Sequence, residues 1–368
     1  MDHPIRVLIV DDSAFMRHRL AKRLEVDPDI IIVGKAYDGL DALSQIKALN
    51  PDVVTLDVEM PRMDGLTALR RIMAECPTPV IMVSAVTQRG ARATIKALMR
   101  GAIDFVTKPT ASEGWQSIVK ELIAKIKVAS VTRSSSSPHS PTPAPVHTAT
   151  PTSALAHIAT PPSLPSSARD VPRPKPRAFR KNDRLIIIGA STGGPRALQQ
   201  VLSDLPADLA AAVVVVQHLP PGFTRALAQR LDENSPLIVH EAAHDDHLAP
   251  GMVLLAPGGS HLHFNGRRQV CLSQGPRRNG VRPAVDVTME SAAECHGSGV
   301  IGVVLTGMGV DGTAGARHIK AVGGKMIVED ESSSVVYGMP RSVVEAGLAD
   351  RVVPLSEVAL TLTELVES

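Results

Sequence analysis

One short stretch of this chain has the residue types and spacing of a catalytic turn. In LIIIGASTGGP, residues 185–195, a run of branched apolar residues ends in a serine set among glycines. Gly189, Ser191 and Gly193 match G-x-S-x-G, the pattern that holds a serine nucleophile between a strand and a helix. Backbone N–H groups at the start of that helix favour a developing negative charge, but they favour a bound phosphate equally. The motif alone leaves a nucleophile, a phosphate loop and a tight bend open.

A base and an orienting carboxylate for this serine follow other apolar runs. A serine needs both in order to attack. His218 ends AAVVVVQH, and Asp311 lies in the glycine-rich turn of VIGVVLTGMGVDGTAG. Because parallel strands end at one edge of a sheet, we predict that Ser191, His218 and Asp311 meet there. A helix cap, a surface histidine and a turn aspartate are the alternatives.

The same residues argue against a dinucleotide-binding site and against an α/β-hydrolase. The turn is not G-x-G-x-x-G, and the next apolar run ends in Gln217 and His218 instead of an acid that could bind a ribose. The order Ser–His–Asp also differs from the order Ser–Asp–His of the α/β-hydrolases.

A second group of reactive residues follows the apolar runs of the first hundred residues. These runs end in acids, a hydroxyl and an ammonium group: Asp11, Asp12, Asp57, Ser84 and Lys108. Converging carboxylates repel one another unless a cation lies among them, and oxygen ligands favour Mg²⁺. With the hydroxyl and the lysine beside the metal, the set would suit a phosphoryl group. Helix capping and surface ion pairs are the alternative for each residue alone.

A third pattern resembles a zinc-protease signature but lacks its setting. His240 to His244 reads HEAAH. The H-E-x-x-H signature requires a helix, so that both histidines share one face. Here the pattern follows the apolar run PLIV and is soon followed by LAPG, which leaves little room for a helix. We therefore predict a strand that ends in polar residues.

Bulk composition restricts the class of protein. The chain has 368 residues, which predicts more than one domain, and 44% of them are hydrophobic. A net charge of +2 gives no reason to expect nucleic acid as a partner. Three scattered cysteines fit a reducing compartment, and no stretch is apolar enough to span a membrane. We therefore expect a cytoplasmic protein without membrane insertion.

The elements that must position these residues fall into two α/β domains. Residues 1–128 alternate five apolar runs with helical patterns, which predicts a doubly wound parallel sheet of flavodoxin type. Residues 129–181 are rich in Pro, Ser, Thr and Ala and predict a disordered linker. Residues 182–368 repeat the strand–helix grammar as a larger parallel-sheet domain. In it, Asn265 and Gly266 indicate an antiparallel hairpin addition.

The first domain resembles the receiver domain of response regulators in two-component signalling, most closely in LDVEMPRMDG. The resemblance spans residues 5–127 and implies that Asp57 accepts a phosphoryl group from a chemotaxis histidine kinase. It further implies a Mg²⁺ ion held by Asp12, Asp57 and the backbone carbonyl of Glu59, with support from Asp11. Three residues would respond to the acyl phosphate: Ser84, Phe105 and Lys108.

The second domain resembles the catalytic domain of the chemotaxis methylesterase family, whose members also act as protein-glutamine glutaminases. The resemblance rests on IGASTGGP, QHLPPGFT, LAPGGSHL, RPAVDV, LTGMGVDG and SSVVYGMP. It implies Ser191 as nucleophile, His218 as base and Asp311 as its orienter. Thr192 would lie beside them, and the Met308 N–H would serve the oxyanion. Leu219 stands where the family often has Met, and the linker is long for the family.

The resemblance implies demethylation of glutamate methyl esters, and deamidation of glutamines, on methyl-accepting chemoreceptors. Methanol or ammonia would leave, and this domain would need no cofactor. The unphosphorylated receiver would pack over the mouth of the active site, and phosphorylation of Asp57 would loosen it. Two alternatives are a phosphorylation-controlled protein that binds receptors without hydrolysis, and a hydrolase of some unrelated small ester.

Overall fold

The computed structural model describes residues 3–85, 87–108, 114–135, 177–180, 182–266 and 269–368. Its secondary structure divides into two parallel α/β sheets with helices around them, as predicted. Most of the predicted linker, residues 136–176 and 181, lies outside the described residues.

The N-terminal domain is built on five parallel strands in the order β2-β1-β3-β4-β5. The strands are β1 (Ile5–Val10), β2 (Ile30–Ala36), β3 (Val53–Asp57), β4 (Val80–Ser84) and β5 (Asp104–Thr107). The two central strands β3 and β4 are buried at every position. Such strands lie between two layers of helices, which explains why they read as unbroken apolar runs.

Five helices cover this sheet: α1 (Ala14–Leu24), α2 (Gly39–Leu49), α3 (Gly65–Glu75), α4 (Gln88–Met99) and α5 (Trp115–Ser135). Side-chain caps start four of them, since a backbone N–H of the first turn of α1, α2, α3 and α4 is accepted by Ser13, Asp38, Asp64 and Thr87, respectively. The last helix ends at Ser135, inside the segment 129–181 predicted as linker.

The C-terminal domain has a seven-stranded parallel sheet in the order β14-β13-β12-β6-β7-β9-β8. Its strands are β6 (Arg184–Ala190), β7 (Ala211–Gln217), β8 (Ile238–Glu241), β9 (Met252–Leu255), β12 (Val300–Val304), β13 (Lys325–Glu329) and β14 (Arg351–Val353). Strands β9 and β14 are not among the predicted strands. The central strands β12, β6 and β7 are adjacent, so that their carboxyl ends share one edge.

Helices α6 (Gly194–Asp204), α7 (Phe223–Asn234), α8 (Val285–His296) and α9 (Thr313–Ala321) lie near their predicted positions. Helices α10 (Met339–Glu345) and α11 (Leu355–Glu367) are additional to the prediction. The predicted hairpin forms from β10 (His261–Phe264) and β11 (Val270–Ser273), which pair antiparallel around Asn265 and Gly266. Phe179 packs against the core of this domain, although it precedes the predicted boundary at residue 182.

The two domains are in direct contact. Helix α4 packs against α6 and α7, and a single cluster of buried apolar residues runs from one domain into the other. The Phe105 ring stacks on the Phe223 ring with centroids 4.7 Å apart. A surface of the N-terminal domain is therefore buried against the C-terminal one.

No helix in the described part of the chain combines the length and the apolar character needed to cross a bilayer.

Replacing Gly65 by alanine should destabilise the N-terminal domain. A Cβ at this position would lie 2.1 Å from the Asp57 carbonyl oxygen, so the backbone at the end of β3 would have to move. Such overpacking costs about 1–3 kcal/mol, and the thermal midpoint of this domain should fall. Gly114→Ala is the matched control, since nothing lies within 4 Å of a Cβ there. Equal midpoints for the two variants would contradict the prediction.

Candidate active site

Ser191 lies in a turn that is tied to both neighbouring strands. Its N–H donates to the Thr306 carbonyl at 3.0 Å, and its own carbonyl accepts from the Gln217 side chain at 2.8 Å. Gly193 has φ +79°, and a Cβ on Gly194 would lie 2.0 Å from the Gln217 amide oxygen. The glycines therefore let α6 begin directly behind the serine, with its N-terminus toward the site.

His218 follows β7, which is the neighbour of β6. Its N–H donates to the Ala190 carbonyl at 3.2 Å, one step past the last strand pair. The ring Nε2 lies 2.8 Å from Asp311 Oδ2, and the side chain is 10% exposed. This contact uses one ring nitrogen and leaves Nδ1 for a proton from the serine. Among the described residues, no hydrogen bond joins the Ser191 hydroxyl to this ring.

Asp311 is buried, and no lysine or arginine among the described residues forms an ion pair with it. Beyond His218, its carboxylate accepts three further bonds, from the N–H groups of Val285 and Asp286 at 2.7 and 3.1 Å and from the Asn279 amide at 3.1 Å. Burial alone would raise the pKa of Asp311, but the bond and charge of His218 and these N–H donors outweigh it and hold the pKa below its usual range. Asp311 is therefore an anion that can orient the histidine and stabilise its protonated form.

A second buried carboxylate supports the first. Asp286 accepts the N–H groups of Gly312 and Gly315 at 2.9 and 2.8 Å, and Asn279 donates to it at 2.9 Å. Burial, together with the charge of Asp311, raises the pKa of Asp286 despite these bonds. Asn279 thus bridges two acids and fixes their relative position.

The turn after β12 brings Gly307, the residue before Met308, next to the serine. A Cβ on Gly307 would lie 2.8 Å from the Ser191 Cβ, so the two turns are in contact. In the part of the chain that the structure describes, the Met308 N–H donates to no acceptor. An N–H beside a nucleophile can stabilise an oxyanion.

Thr192, the residue after the serine, bonds to the other domain. Its hydroxyl donates to Asp104 Oδ2 at 2.5 Å, and Lys125 Nζ lies 3.2 Å from the other oxygen of that carboxylate. Phe105, next to Asp104, is the residue that stacks on Phe223 at the start of α7. The N-terminal domain therefore touches the residue beside the candidate nucleophile.

The acids of the N-terminal domain also converge. Asp11, Asp12 and Asp57 each place a carboxylate oxygen within 4.8 Å of the others. Lys108 Nζ lies 2.7 Å from Asp57 and 2.9 Å from Asp11. The all-oxygen set fits Mg²⁺, which would neutralise the acids and the charge of an incoming phosphoryl group.

The electrostatics at Asp57 oppose its ionisation when no cation balances it. Burial raises the pKa of Asp57 to about 6, with a further contribution from Asp11, against the lowering effect of Lys108. The pKa of Lys108 is raised although burial opposes its charge, because two carboxylates face it. The raised pKa of Asp57 and the raised pKa of Lys108 are compatible, since Asp11 and Asp57 share the ammonium group of Lys108.

The remaining residues predicted for this domain surround that cluster. Ser84 is buried at the end of β4, where its hydroxyl lies 3.3 Å from the Ala85 carbonyl. The Glu59 N–H lies 3.4 Å from Asp57 Oδ1. Phe105 is buried at the domain contact.

The HEAAH pattern does not form a helix. His240 and Glu241 end β8, and His244 lies in the following turn. Among the described residues, the group of possible metal ligands that lie close together is Asp11, Asp12 and Asp57, which does not include this segment.

Several residues of the site were not found by sequence reasoning. Gln217, Asn279, Asp286 and Thr306 hold the serine turn and the Asp311 carboxylate through hydrogen bonds. Three of these residues, Gln217, Asp286 and Thr306, lie in the motifs QHLPPGFT, RPAVDV and LTGMGVDG. Their place in motifs shared with the family could have marked them as site residues. Asn279 lies outside every motif.

Comparison with known proteins agrees with this architecture. Residues 7–120 match the response regulator receiver domain, and residues 186–362 match the CheB methylesterase family. The protein-glutamate methylesterase/protein-glutamine glutaminase of Symbiobacterium thermophilum is 49% identical over 368 residues, which cover 100% of this chain and 98% of that protein. That of Thermotoga maritima is 43% identical over 370 residues, with 99% of each chain covered.

Solved structures resemble each half. The CheB methylesterase catalytic domain of Thermotoga maritima is 48% identical with a TM-score of 0.49, and covers 50% of this chain and 98% of its own. The response regulator domain of Thermotoga maritima CheB is 48% identical with a TM-score of 0.33, and the match covers 35% of this chain and 98% of that domain.

The protein is thus a response regulator whose receiver domain precedes an esterase domain. By full-length identity, the chain belongs to the family of protein-glutamate methylesterases/protein-glutamine glutaminases, which confirms the resemblance inferred from the sequence.

Asp311→Asn should destabilise the C-terminal domain as well as remove a charge. Both carboxylate oxygens accept N–H donors, and the amide NH₂ of an asparagine would face at least one of them. A buried polar group left unpaired costs about 1–3 kcal/mol, so the thermal midpoint of this domain should drop. Asp208→Asn, at an exposed position, is the control. An unchanged midpoint in D311N would contradict the argument.

Proposed function

We propose that this chain hydrolyses γ-glutamyl methyl esters, and deamidates glutamine side chains, on methyl-accepting chemoreceptors, with Ser191, His218 and Asp311 as its catalytic triad. The observation that carries the proposal is the 2.8 Å bond between His218 and the buried carboxylate of Asp311. His218 directly follows β7, and Ser191 directly follows the paired strand β6. The family name of the full-length relatives supplies the substrate class.

In the proposed reaction, Ser191 gives its proton to His218 Nδ1 and attacks the ester carbonyl carbon. The tetrahedral oxyanion accepts the Met308 N–H, a type of contact worth roughly 10²–10³ in rate. His218 then protonates the leaving methoxide, which departs as methanol. Water, deprotonated by the same histidine, hydrolyses the acyl-enzyme and leaves a glutamate carboxylate. A glutamine follows the same path and releases ammonia, and no step needs a cofactor in this domain.

The Ser191–His218 link must close when substrate binds. The serine hydroxyl makes no bond to the ring in this structure, and catalytic hydrogen bonds often tighten only in the substrate complex. The two residues follow paired positions of adjacent strands, Ala190 and Gln217, so a change of side-chain rotamer can close the link.

The receiver domain supplies the proposed control. Asp57 accepts a phosphoryl group from the chemotaxis histidine kinase, with Mg²⁺ held by Asp12, Asp57 and the Glu59 carbonyl beside Asp11. When bound, the metal neutralises the charge that phosphorylation adds. Ser84, Phe105 and Lys108 then respond to the acyl phosphate. The proposal includes a cytoplasmic location, which the three scattered cysteines support.

The contacts at the domain boundary support inhibition of the unphosphorylated form. Asp104 bonds to the hydroxyl of Thr192, beside the nucleophile, and Phe105 stacks on Phe223. A receptor helix that reaches Ser191 has to displace these groups. Loss of the packing on phosphorylation therefore exposes the site.

Ser191→Ala should abolish release of labelled methanol from methylated receptor membranes while receptor binding persists. The hydroxyl is the attacking group, and its loss costs several orders of magnitude. Ser203→Ala, an exposed serine at the end of α6, is the matched control. Methanol release by S191A equal to that of the control would favour a binding protein. Equal turnover of free small esters and methylated receptor by the wild type would favour an unrelated esterase.

Phe223→Ala should raise methanol release in the absence of a phosphodonor. An aromatic pair contributes about 0.5–1.5 kcal/mol beyond its buried area, which corresponds to a few-fold to tenfold shift toward the open form. Phe15→Ala removes an exposed ring of the receiver and should leave basal release unchanged. Asp57→Asn should abolish activation by a phosphodonor. If F223A and F15A release methanol at the same basal rate, the stack of Phe105 on Phe223 does not contribute to inhibition.

A further inference from the structure

Glu329 is a buried acid that the proposed triad does not use. It ends β13, is 0% exposed and pairs with Val353 of β14 in the sheet. Its Oε2 accepts the Thr306 N–H at 2.7 Å, and its Oε1 lies 3.1 Å from the Ser333 hydroxyl. Neither partner is a cation.

Thr306 connects this acid to the active site. Its carbonyl accepts the Ser191 N–H at 3.0 Å, and its hydroxyl donates to the Thr192 carbonyl at 2.9 Å. The same hydroxyl accepts the Val336 N–H at 2.9 Å, and Thr306 is followed by the turn that carries Met308. The bond from Glu329 to the Thr306 N–H therefore fixes the residue that holds both the nucleophile turn and the oxyanion turn.

The hydrogen bonds around Ser333 can all be made at once when Glu329 carries a proton. The Ser333 hydroxyl accepts the Leu355 N–H at 2.9 Å and lies 2.8 Å from Asp330 Oδ1. A hydroxyl has one proton to donate, and the shorter contact, to Asp330, takes it. The contact between Ser333 and Glu329 then contains a hydrogen only if the Glu329 carboxyl supplies it.

We propose that Glu329 acts as a neutral carboxylic acid that positions Thr306, accepting its N–H with one oxygen and donating its own proton to Ser333 with the other. It is a positioning residue, since it touches neither substrate nor the reacting atoms. The inference deepens the proposed function and rests on it for its kinetic consequences.

The charges that face Glu329 agree with a neutral acid. Burial raises its pKa to about 7, and the bonds from Thr306 and Ser333 do not offset that burial. Asp330 is the charged group acting on it, and it too raises the pKa. Thr306, which follows β12, and Val353 of β14 lie directly against it, and Leu355 at the start of α11 bonds to Ser333; all three residues are uncharged.

Three variants test the proposal in the full chain with Mg²⁺ and a small-molecule phosphodonor. Glutamine has the donor and acceptor pattern of a protonated glutamate, so Glu329→Gln should retain kcat near neutral pH. Glu329→Leu leaves the Thr306 N–H unpaired, which should lower kcat about tenfold to a hundredfold with KM little changed. Glu331→Gln neutralises the 70% exposed neighbour and is the matched control.

The pH profile separates positioning from simple packing. In the wild type, kcat should fall as pH rises above about 7 and Glu329 loses its proton. E329Q should lack this alkaline limb, and E331Q should keep it. The proposal is overturned if E329L has the kcat of the wild type, if E329Q is as impaired as E329L, or if E329Q keeps the alkaline limb.

Stability provides a readout that does not depend on turnover. A carboxyl whose pKa is raised in the folded state contributes stability that is present below its unfolded value, 4.5, and is lost as pH rises through about 7. The thermal midpoint of E329Q should therefore match the wild type near pH 5 and exceed it near pH 8, with roughly all of the difference arising between those values. Parallel midpoints across this range would refute the neutral acid. If the wild type releases no methanol but the midpoints diverge, the proposed function fails and the protonation of Glu329 stands.

Discussion

The C-terminal domain depends on a buried negative charge that is balanced by N–H dipoles. In the part of the chain that the structure describes, no lysine or arginine pairs with Asp311, and the N–H groups of Val285 and Asp286, with the Asn279 amide, stabilise its carboxylate. A lysine or arginine at that place would compete with His218 for the carboxylate oxygens and would disfavour protonation of the ring. Dipoles avoid both effects, because they keep the acid ionised and leave Oδ2 shared with His218.

The two domains place acids at the same structural position and balance them differently. In each, carboxylates follow parallel strands at the carboxyl edge of the sheet, where helix N-termini and turns supply polar groups. In the receiver cluster, Lys108 is the cation that the described residues place beside Asp11 and Asp57, and the negative charge that remains on the three acids favours a divalent ion. The esterase site instead uses backbone N–H donors and an anion–imidazole bond, an arrangement that suits proton transfer.

Residues that lie next to strand ends could be predicted from the sequence, and residues that act from loops could not. Apolar runs located Ser191, His218 and Asp57, because a parallel strand buried on both faces reads as an unbroken apolar segment and its end marks an edge of the sheet. The short strands β9 and β14 have four and three residues, so their patterns are too short to stand out. Asn279, in a turn between β11 and α8, reaches Asp311 only through tertiary packing. Glu329 reads as an ordinary strand-end acid, since sequence gives no measure of its complete burial.

Strand β5 connects the two sites through one short stretch of backbone. Lys108, just past its carboxyl end, contacts Asp57, whereas Asp104 and Phe105, at its start, contact Thr192 and Phe223 of the other domain. Four residues separate these contacts, about 13 Å at the rise of a strand. Lys125 strengthens the same end, since it binds Asp104 and lies over the Phe105 ring. A change in the interaction of Lys108 with Asp57 therefore acts on a strand whose other end contacts the residue beside the candidate nucleophile. The proposed coupling of phosphorylation to access needs no longer chain of side chains.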